Sequence, residues 1–356
     1  MNKFAYKPIF IFTHSKFIDF VKKNPHIEIV DAFERQLKEL FVIENNQDLP
    51  EDKQSAFKSA LFRKYRKAKS EDCVYIYYPW NSCVVKSVKK EDYFRLKTNR
   101  NQDLITAGEQ QVLREYKIAV FGMSVGSNIA YVLTQAGISE AITLADFDEL
   151  DTTNLNRIWA GVHQVGLNKC VIAARRIYED NPFAKINILR FGITPKILEK
   201  LLKEKKIDCI VEEIDQMKMK IEVRKLAIKY KVPVFMITDN GDWGVLHIER
   251  YDLGYKKIFE KDPVYWDKRL ISYRGKKDFA DIVINQIVGG PDKVDPRMLK
   301  SAEKVGKKEL VSWPQLGSAA LLGGIAVTVA VKKMLRDDIK EKFSKIFLYP
   351  VSEKSK

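Results

Sequence analysis

Lys117–Asn128 reads KIAVFGMSVGSN: an apolar strand, a glycine-containing turn and the opening of a helix that runs to about Gln135. Four uninterrupted apolar residues, Ile118 to Phe121, suit a strand buried on both faces, as in a parallel sheet covered by helices. Gly122, Ser124 and Gly126 give the turn small residues through which backbone N–H groups can approach an anion at a helix N-terminus. Ser124 occupies the place where a dinucleotide fingerprint has its second glycine. The turn alone therefore admits two readings, a nucleotide phosphate site and a tight connection with no ligand.

The alternation continues downstream. Strands are predicted at Ala141–Asp146, Ile186–Arg190, Asp208–Val211 and Val234–Ile237, with helices at Lys169–Glu179, Pro195–Lys205 and Met217–Tyr230. This βαβ series specifies an α/β fold with a doubly wound, Rossmann-like, mostly parallel sheet. Gly244–Tyr251 alternates like a strand with one wet face, and with Ser344–Leu348 it forms an antiparallel C-terminal extension. Residues 254–313 read as a long irregular insertion or crossover region, followed by a Gly/Ala-rich helix. Upstream, Pro8–Phe12 and Cys73–Tyr78 read as strands of a smaller N-terminal α/β or α+β region. The expected domains are residues 1–104, of unknown role, and residues 105–356.

The 356 residues are 46% hydrophobic and 31% charged, which excludes disorder and coiled coil and suits about two domains. The formal charge is +15. Residues 1–110 hold 20 basic and 15 acidic side chains, so the excess runs along the chain rather than forming a polybasic tail. A dedicated nucleic-acid binder is disfavoured, while a tRNA stays open as a substrate. Cys73, Cys83, Cys170 and Cys209 form neither a disulfide framework nor a CxxC pair, which suits a reducing cytoplasm. The amino terminus carries no secretory cleavage pattern. The longest uncharged apolar run, Leu316–Val331, falls short of the ~20 residues a bilayer requires, so no membrane span is expected.

The chemistry lies in the loops that follow the strands. Asp146–Arg157 (DFDELDTTNLNR) places Asp146, Asp148, Asn154 and Arg157 at the carboxyl edge of the sheet. An acid 24 residues beyond Gly122 suits a ribose hydroxyl pair. A plain dinucleotide oxidoreductase explains Asp146 but gives no reason for Asn154 and Arg157. Gly166–Lys169 (GLNK) opens the next helix with a lysine, and a later strand runs into EEID at residues 212–215.

DFDELDTTNLNR, GLNK and the acid after the fourth strand resemble the ThiF/MoeB/HesA adenylyltransferases, the superfamily of ubiquitin-activating enzymes. The resemblance covers residues 100–253 and resumes at LGSAALLGGIAVTVAVKKML. NRN near Arg100, SVGS, ADFDELDTTNLNR and VEExD are similar to ThiF domains fused to a nitroreductase-like domain in some bacterial proteins. That fused domain has no counterpart here.

The resemblance implies that a carboxylate attacks the α-phosphorus of ATP, giving an acyl-adenylate and pyrophosphate. It implies ATP binding by Gly122, Ser124, Gly126, Asp146, Asp148, Asn154, Arg157 and Lys169. In this scheme Asp146 takes the ribose, Arg157 and Lys169 hold phosphates, and Asn154 fixes the α-phosphate or orients Arg157. Asp215 holds Mg2+. The resemblance also implies a homodimer in which an arginine ahead of the first strand reaches the partner's site; Arg100 is the best match, with Arg95 behind it. The catalytic set is then Arg157, Lys169, Asp215 and Arg100.

Departures narrow the reading. No cysteine follows Cys209, so neither a CxxC-pair zinc nor thioester transfer through a crossover-loop cysteine is expected. Gln216 stands where many relatives have an asparagine. The expected acceptor is the C-terminus of a small protein or peptide, or a small-molecule carboxylate. The alternatives are an NAD(P) or flavin oxidoreductase and a non-catalytic nucleotide-binding scaffold.

Overall fold

Cys73–Tyr78 forms a central strand, as its β-branched and aromatic residues favour. The computed structural model describes residues 5–49 and 52–349. It divides them into two units, one up to Ala107 together with Tyr178–Phe183, the other Gly108–Ile177 with the chain from Ala184. The first unit contains β1 (Ile9–Ile11), α1 (His14–Lys23), β2 (Glu28–Asp31), α2 (Phe33–Asn45), α3 (Lys53–Ala56), α4 (Ala60–Lys69), β3 (Cys73–Tyr78), β4 (Cys83–Val88) and α5 (Lys90–Thr98). Its strands lie in the order β1-β3-β4-β2, with β3 antiparallel to both neighbours and β2 parallel to β4. Helix α2 buries Phe33, Leu37, Leu40 and Phe41, one stripe at helical spacing.

The chain continues through α6 (Ala107–Glu115), β5 (Ile118–Phe121), α7 (Val125–Gln135), β6 (Ala141–Ala145), α8 (Lys169–Asp180), β7 (Lys185–Leu189), α9 (Pro195–Lys203), β8 (Cys209–Glu212) and α10 (Met217–Tyr230). Then follow β9 (Val234–Asn240), β10 (Trp243–Glu249), α11 (Pro263–Ile271), α12 (Lys276–Ile282), α13 (Pro296–Gly306), α14 (Gly317–Leu335) and β11 (Phe343–Leu348). The sheet order is β11-β10-β9-β8-β5-β6-β7. Strands β7, β6, β5, β8 and β9 are parallel, and β10 and β11 add the antiparallel extension. The chain winds outward from β5 through β6 to β7, then returns to β8. The β5/β8 boundary is therefore the topological switch point, where such sheets bind ligands at their carboxyl edge.

Two expectations are corrected. Strand β10 has no wet face, because His247 and Glu249 are buried along with Val245, Leu246 and Ile248. Residues 254–313 cover it and are largely helical. Two of their helices open with an Asp-Pro pair. Asp262 accepts from the N–H of Val264 ahead of Pro263, and Asp295 accepts from Arg297 and Met298 ahead of Pro296. Trp266 anchors this layer, donating to the Ile258 carbonyl at 2.7 Å.

Helix α14 runs beyond the uncharged stretch, through Lys332 and Lys333, to 19 residues. By length and composition it is apolar enough to cross a membrane, and half of its most apolar window is buried inside the fold. Its buried face, including Ala319, Ala320, Gly323 and Gly324, packs against α7, β9 and β10. A Cβ on Gly324 would stand 3.2 Å from the Asn128 carbonyl oxygen, so the small residues set the approach of α14 to α7.

Candidate nucleotide site

At the end of β5 the chain turns under close constraint. Gly122 has φ +90°, and a Cβ there would lie 2.3 Å from the Glu213 carbonyl oxygen. Glycine meets both demands, the left-handed backbone and the close approach of the loop after β8. The next residue, Met123, donates its N–H to Asp146 Oδ2 at 2.6 Å, tying the β5 turn to the end of β6.

Asp146 also accepts from the N–H of Asp148 through Oδ1, at 2.8 Å. Burial pushes its carboxyl up, against the two backbone donors and Lys169, which pull it down. Each oxygen keeps a lone pair for a hydroxyl donor. Asn168 bonds the carbonyls of Asp146 and Asp148, both at 3.1 Å, and so fixes the loop before α8. Lys169 is buried, and its Nζ donates to Asp148 Oδ2 at 2.9 Å.

Arg157 reaches back to the first turn, its Nε donating to Ser124 Oγ at 2.9 Å. Its Nη1 donates to Asn156 Oδ1 at 2.9 Å and to the Thr153 carbonyl at 3.2 Å. Burial lowers its affinity for the proton, while Asp239 and Asp215 oppose that effect. Asn154 turns inward: its Oδ1 accepts from the N–H of Asp151, closing a short capping box that shapes the loop. Gly317, at the start of α14, supports the same loop, since a Cβ there would meet the Asn156 carbonyl oxygen at 2.5 Å.

Asp215 lies on the loop after β8 and is exposed to solvent. The surrounding protein desolvates it enough to push its carboxyl up; Glu212 and Asp148 add to this, and Lys220 and Lys169 oppose it. Glu213, beside it, accepts from the N–H of Ile237 through Oε1 at 2.9 Å. Burial raises this carboxyl well above the usual range.

Gly122, Ser124, Asp146, Asp148, Arg157, Lys169 and Asp215 are thus linked around one sheet edge, at the switch point. Gly126 is buried in the first turn of α7. Arg100 lies in the first unit, exposed in the short turn Asn99–Asn101. Sequence reasoning missed Asn168, Glu213 and Asp239, although Asn168 stands within the GLNK motif.

Residues 96–349 match the ThiF family. The chain belongs to that family. The ThiF-family chain is 31% identical over 318 residues to "Uncharacterized protein MT1398" of Mycobacterium tuberculosis, covering 89% of this chain and 41% of that protein. It is 30% identical over 185 residues to ubiquitin-like modifier-activating enzyme 5 of Caenorhabditis elegans, covering 48% of this chain and 43% of that protein. The ThiF-family chain spans about two fifths of the length of these relatives. Among solved structures, Escherichia coli tRNA N6-threonylcarbamoyladenosine dehydratase, TcdA, in complex with AMP, superposes with a TM-score of 0.50 at 21% identity. That match covers 71% of this chain and 99% of that one, and it establishes likeness of fold alone.

Proposed function

We propose that this protein is an ATP-dependent adenylyltransferase that activates a carboxylate. The observation that carries the reading is the convergence of Asp146, Arg157 and Lys169 on the edge beside the Gly122 turn, through bonds each shorter than 3 Å. Asp146 takes the ribose hydroxyls, and the two cations take the triphosphate. That the TcdA structure of similar fold is a complex with AMP supports a nucleotide ligand.

A carboxylate oxygen of the acceptor attacks the α-phosphorus, and the bond from that phosphorus to the bridging oxygen breaks. Pyrophosphate leaves with the electron pair. Negative charge grows on the leaving group, so fixed cations at that end lower the barrier. Arg157, held by Ser124 and Asn156, is pre-oriented for this task. Asp215 supplies an oxygen donor that fits a hard divalent cation sharing phosphate oxygens, and Mg2+ there would further neutralise the triphosphate.

In this reading the acyl-adenylate passes directly to its nucleophile, with no thioester on a cysteine after Cys209. The acceptor is the C-terminus of a small protein or peptide, or a small-molecule carboxylate. The active species is a cytoplasmic homodimer in which Arg100 serves the partner's site. Mixing Arg100→Ala with Asp215→Ala subunits restores activity if it does, and restores none if it does not.

Exchange of labelled pyrophosphate into ATP, run with candidate carboxylates, tests the central claim. Exchange should fall about 100-fold or more in Arg157→Ala. NADH turnover without any need for ATP would instead establish an oxidoreductase, and tight ATP binding with no exchange would establish a scaffold.

A further inference from the structure

We propose that Asp239 is a second carboxylate of the divalent-cation position that Asp215 begins, so that both acids and the ATP phosphates share the ion. The proposal rests on the adenylation reading. Both oxygens of Asp239 are shut off from solvent and have no hydrogen-bond partner. The neighbouring acids differ. Asp146 has two backbone donors, Asp148 has Lys169, and Glu213 has the N–H of Ile237. A buried carboxylate with no donor is costly unless a ligand supplies the missing partner.

The loop that bears Asp215 is tied to β9. Strands β8 and β9 are parallel neighbours in which Val211 pairs with Phe235. Beyond the end of β8, Glu213 Oε1 accepts from the N–H of Ile237 at 2.9 Å, and Asp215 and Asp239 each stand two residues past that link. Asp239 lies close enough to Arg157 and Asp215 for both charges to act on it. Arg157 does not satisfy it, since the guanidinium bonds go to Ser124, Thr153 and Asn156.

The chemistry of the donors favours Mg2+ over an all-protein metal cage. Among the described residues no group of three or more metal-ligating side chains converges. Mg2+ is commonly held by one or two carboxylates, completing its shell with phosphate oxygens and water.

The test is ATP affinity by calorimetry, with Mg2+ and with EDTA, on the full chain and without acceptor. In wild type, Mg2+ should strengthen ATP binding. In Asp239→Asn that gain should shrink about tenfold or more, as in Asp215→Asn, while affinity in EDTA is kept or improved. The thermal midpoint of Asp239→Asn should rise, because the orphaned charge is gone; Asp239→Ser is the second variant should the amide fit poorly. An unchanged Mg2+ gain in the Asp239 variants alongside its loss in Asp215→Asn overturns the inference and leaves the adenylation reading standing. So does an equal loss of affinity in EDTA. Wild type that binds no ATP under either condition removes both.

Discussion

Lys169 Nζ stands 2.9 Å from Asp148 Oδ2, and the cation is the buried member of the pair, its side chain 8% exposed against 50% for the aspartate. Asp148 therefore holds the lysine in the absence of ligand, and a triphosphate can replace it from the solvent side. Lys169→Met should raise the KM for ATP by tenfold or more, since a charge-assisted phosphate contact is lost. Asp148→Asn should leave that KM within about threefold and instead lower stability by roughly 1–3 kcal/mol, the cost of a buried ammonium with a weaker partner. Steady-state kinetics and urea melts separate the two outcomes.

Gly317 offers a test of the loop that carries Arg157. Its substitution by alanine drives a methyl group into the Asn156 carbonyl oxygen, 2.5 Å away, at the point where Asn156 also donates to the Gln315 carbonyl. Gly317→Ala should weaken ATP binding through displacement of Arg157, while the circular dichroism spectrum is kept. Gly306→Ala, where a Cβ meets nothing within 4 Å, is the control and should bind ATP as wild type does.

Much of the sheet was legible because its strands are apolar without interruption. IAVF and CIVE are fully buried, and Met217–Tyr230 and Cys73–Tyr78 have the bounds that their patterns predict. Residues 254–313 were harder, since their helices carry charges on broad exposed faces; the Asp262-Pro263 and Asp295-Pro296 starts were the signal available. The burial of His247 and Glu249 is set by residues distant in sequence and leaves no local trace. Asp239 lies in TDNGDWG, which reads as a polar turn, whereas β9 extends to Asn240. The site loops were readable through residue types at spacing. Their mutual bonds, such as Arg157 to Ser124, were not.

Beneath the site lies a buried ionic network. Arg224 donates to Glu212 Oε2 and Glu249 Oε2, both at 2.6 Å, and Glu212 Oε1 accepts from Lys220 and from the N–H of Ile214. Glu249 Oε1 accepts from Tyr251 and the N–H of Phe259, joining residues 254–313 to the loop that bears Asp215. Two carboxylates balance two cations, so removing one member strands a buried charge. Arg224→Met should cost about 3–5 kcal/mol in urea unfolding. Combining it with Glu249→Gln should recover part of that loss, since one stranded carboxylate is then neutral.

His247 gives the pH dependence a definite sign. The ring is fully buried, its Nδ1 has no partner, and Nε2 lies 3.1 Å from the Ile287 carbonyl oxygen. Burial foremost, then the nearby Lys345 and Arg224, lower its pKa to about 3 in the folded state. The unfolded chain binds the proton near pH 6.5. A base with a depressed folded pKa contributes its full share of stability above the unfolded value and loses it as pH falls toward the folded one. Between pH 7.5 and pH 5 this one group should therefore remove about 2 kcal/mol of stability. His247→Gln keeps a donor for the Ile287 carbonyl and abolishes the titration. Its stability at pH 7.5 depends on how the amide packs, so the decisive quantity is the slope. Urea unfolding of both proteins across this range should show the wild-type curve falling about 2 kcal/mol further than the variant's, and parallel curves would show that the histidine is not buried as a neutral ring.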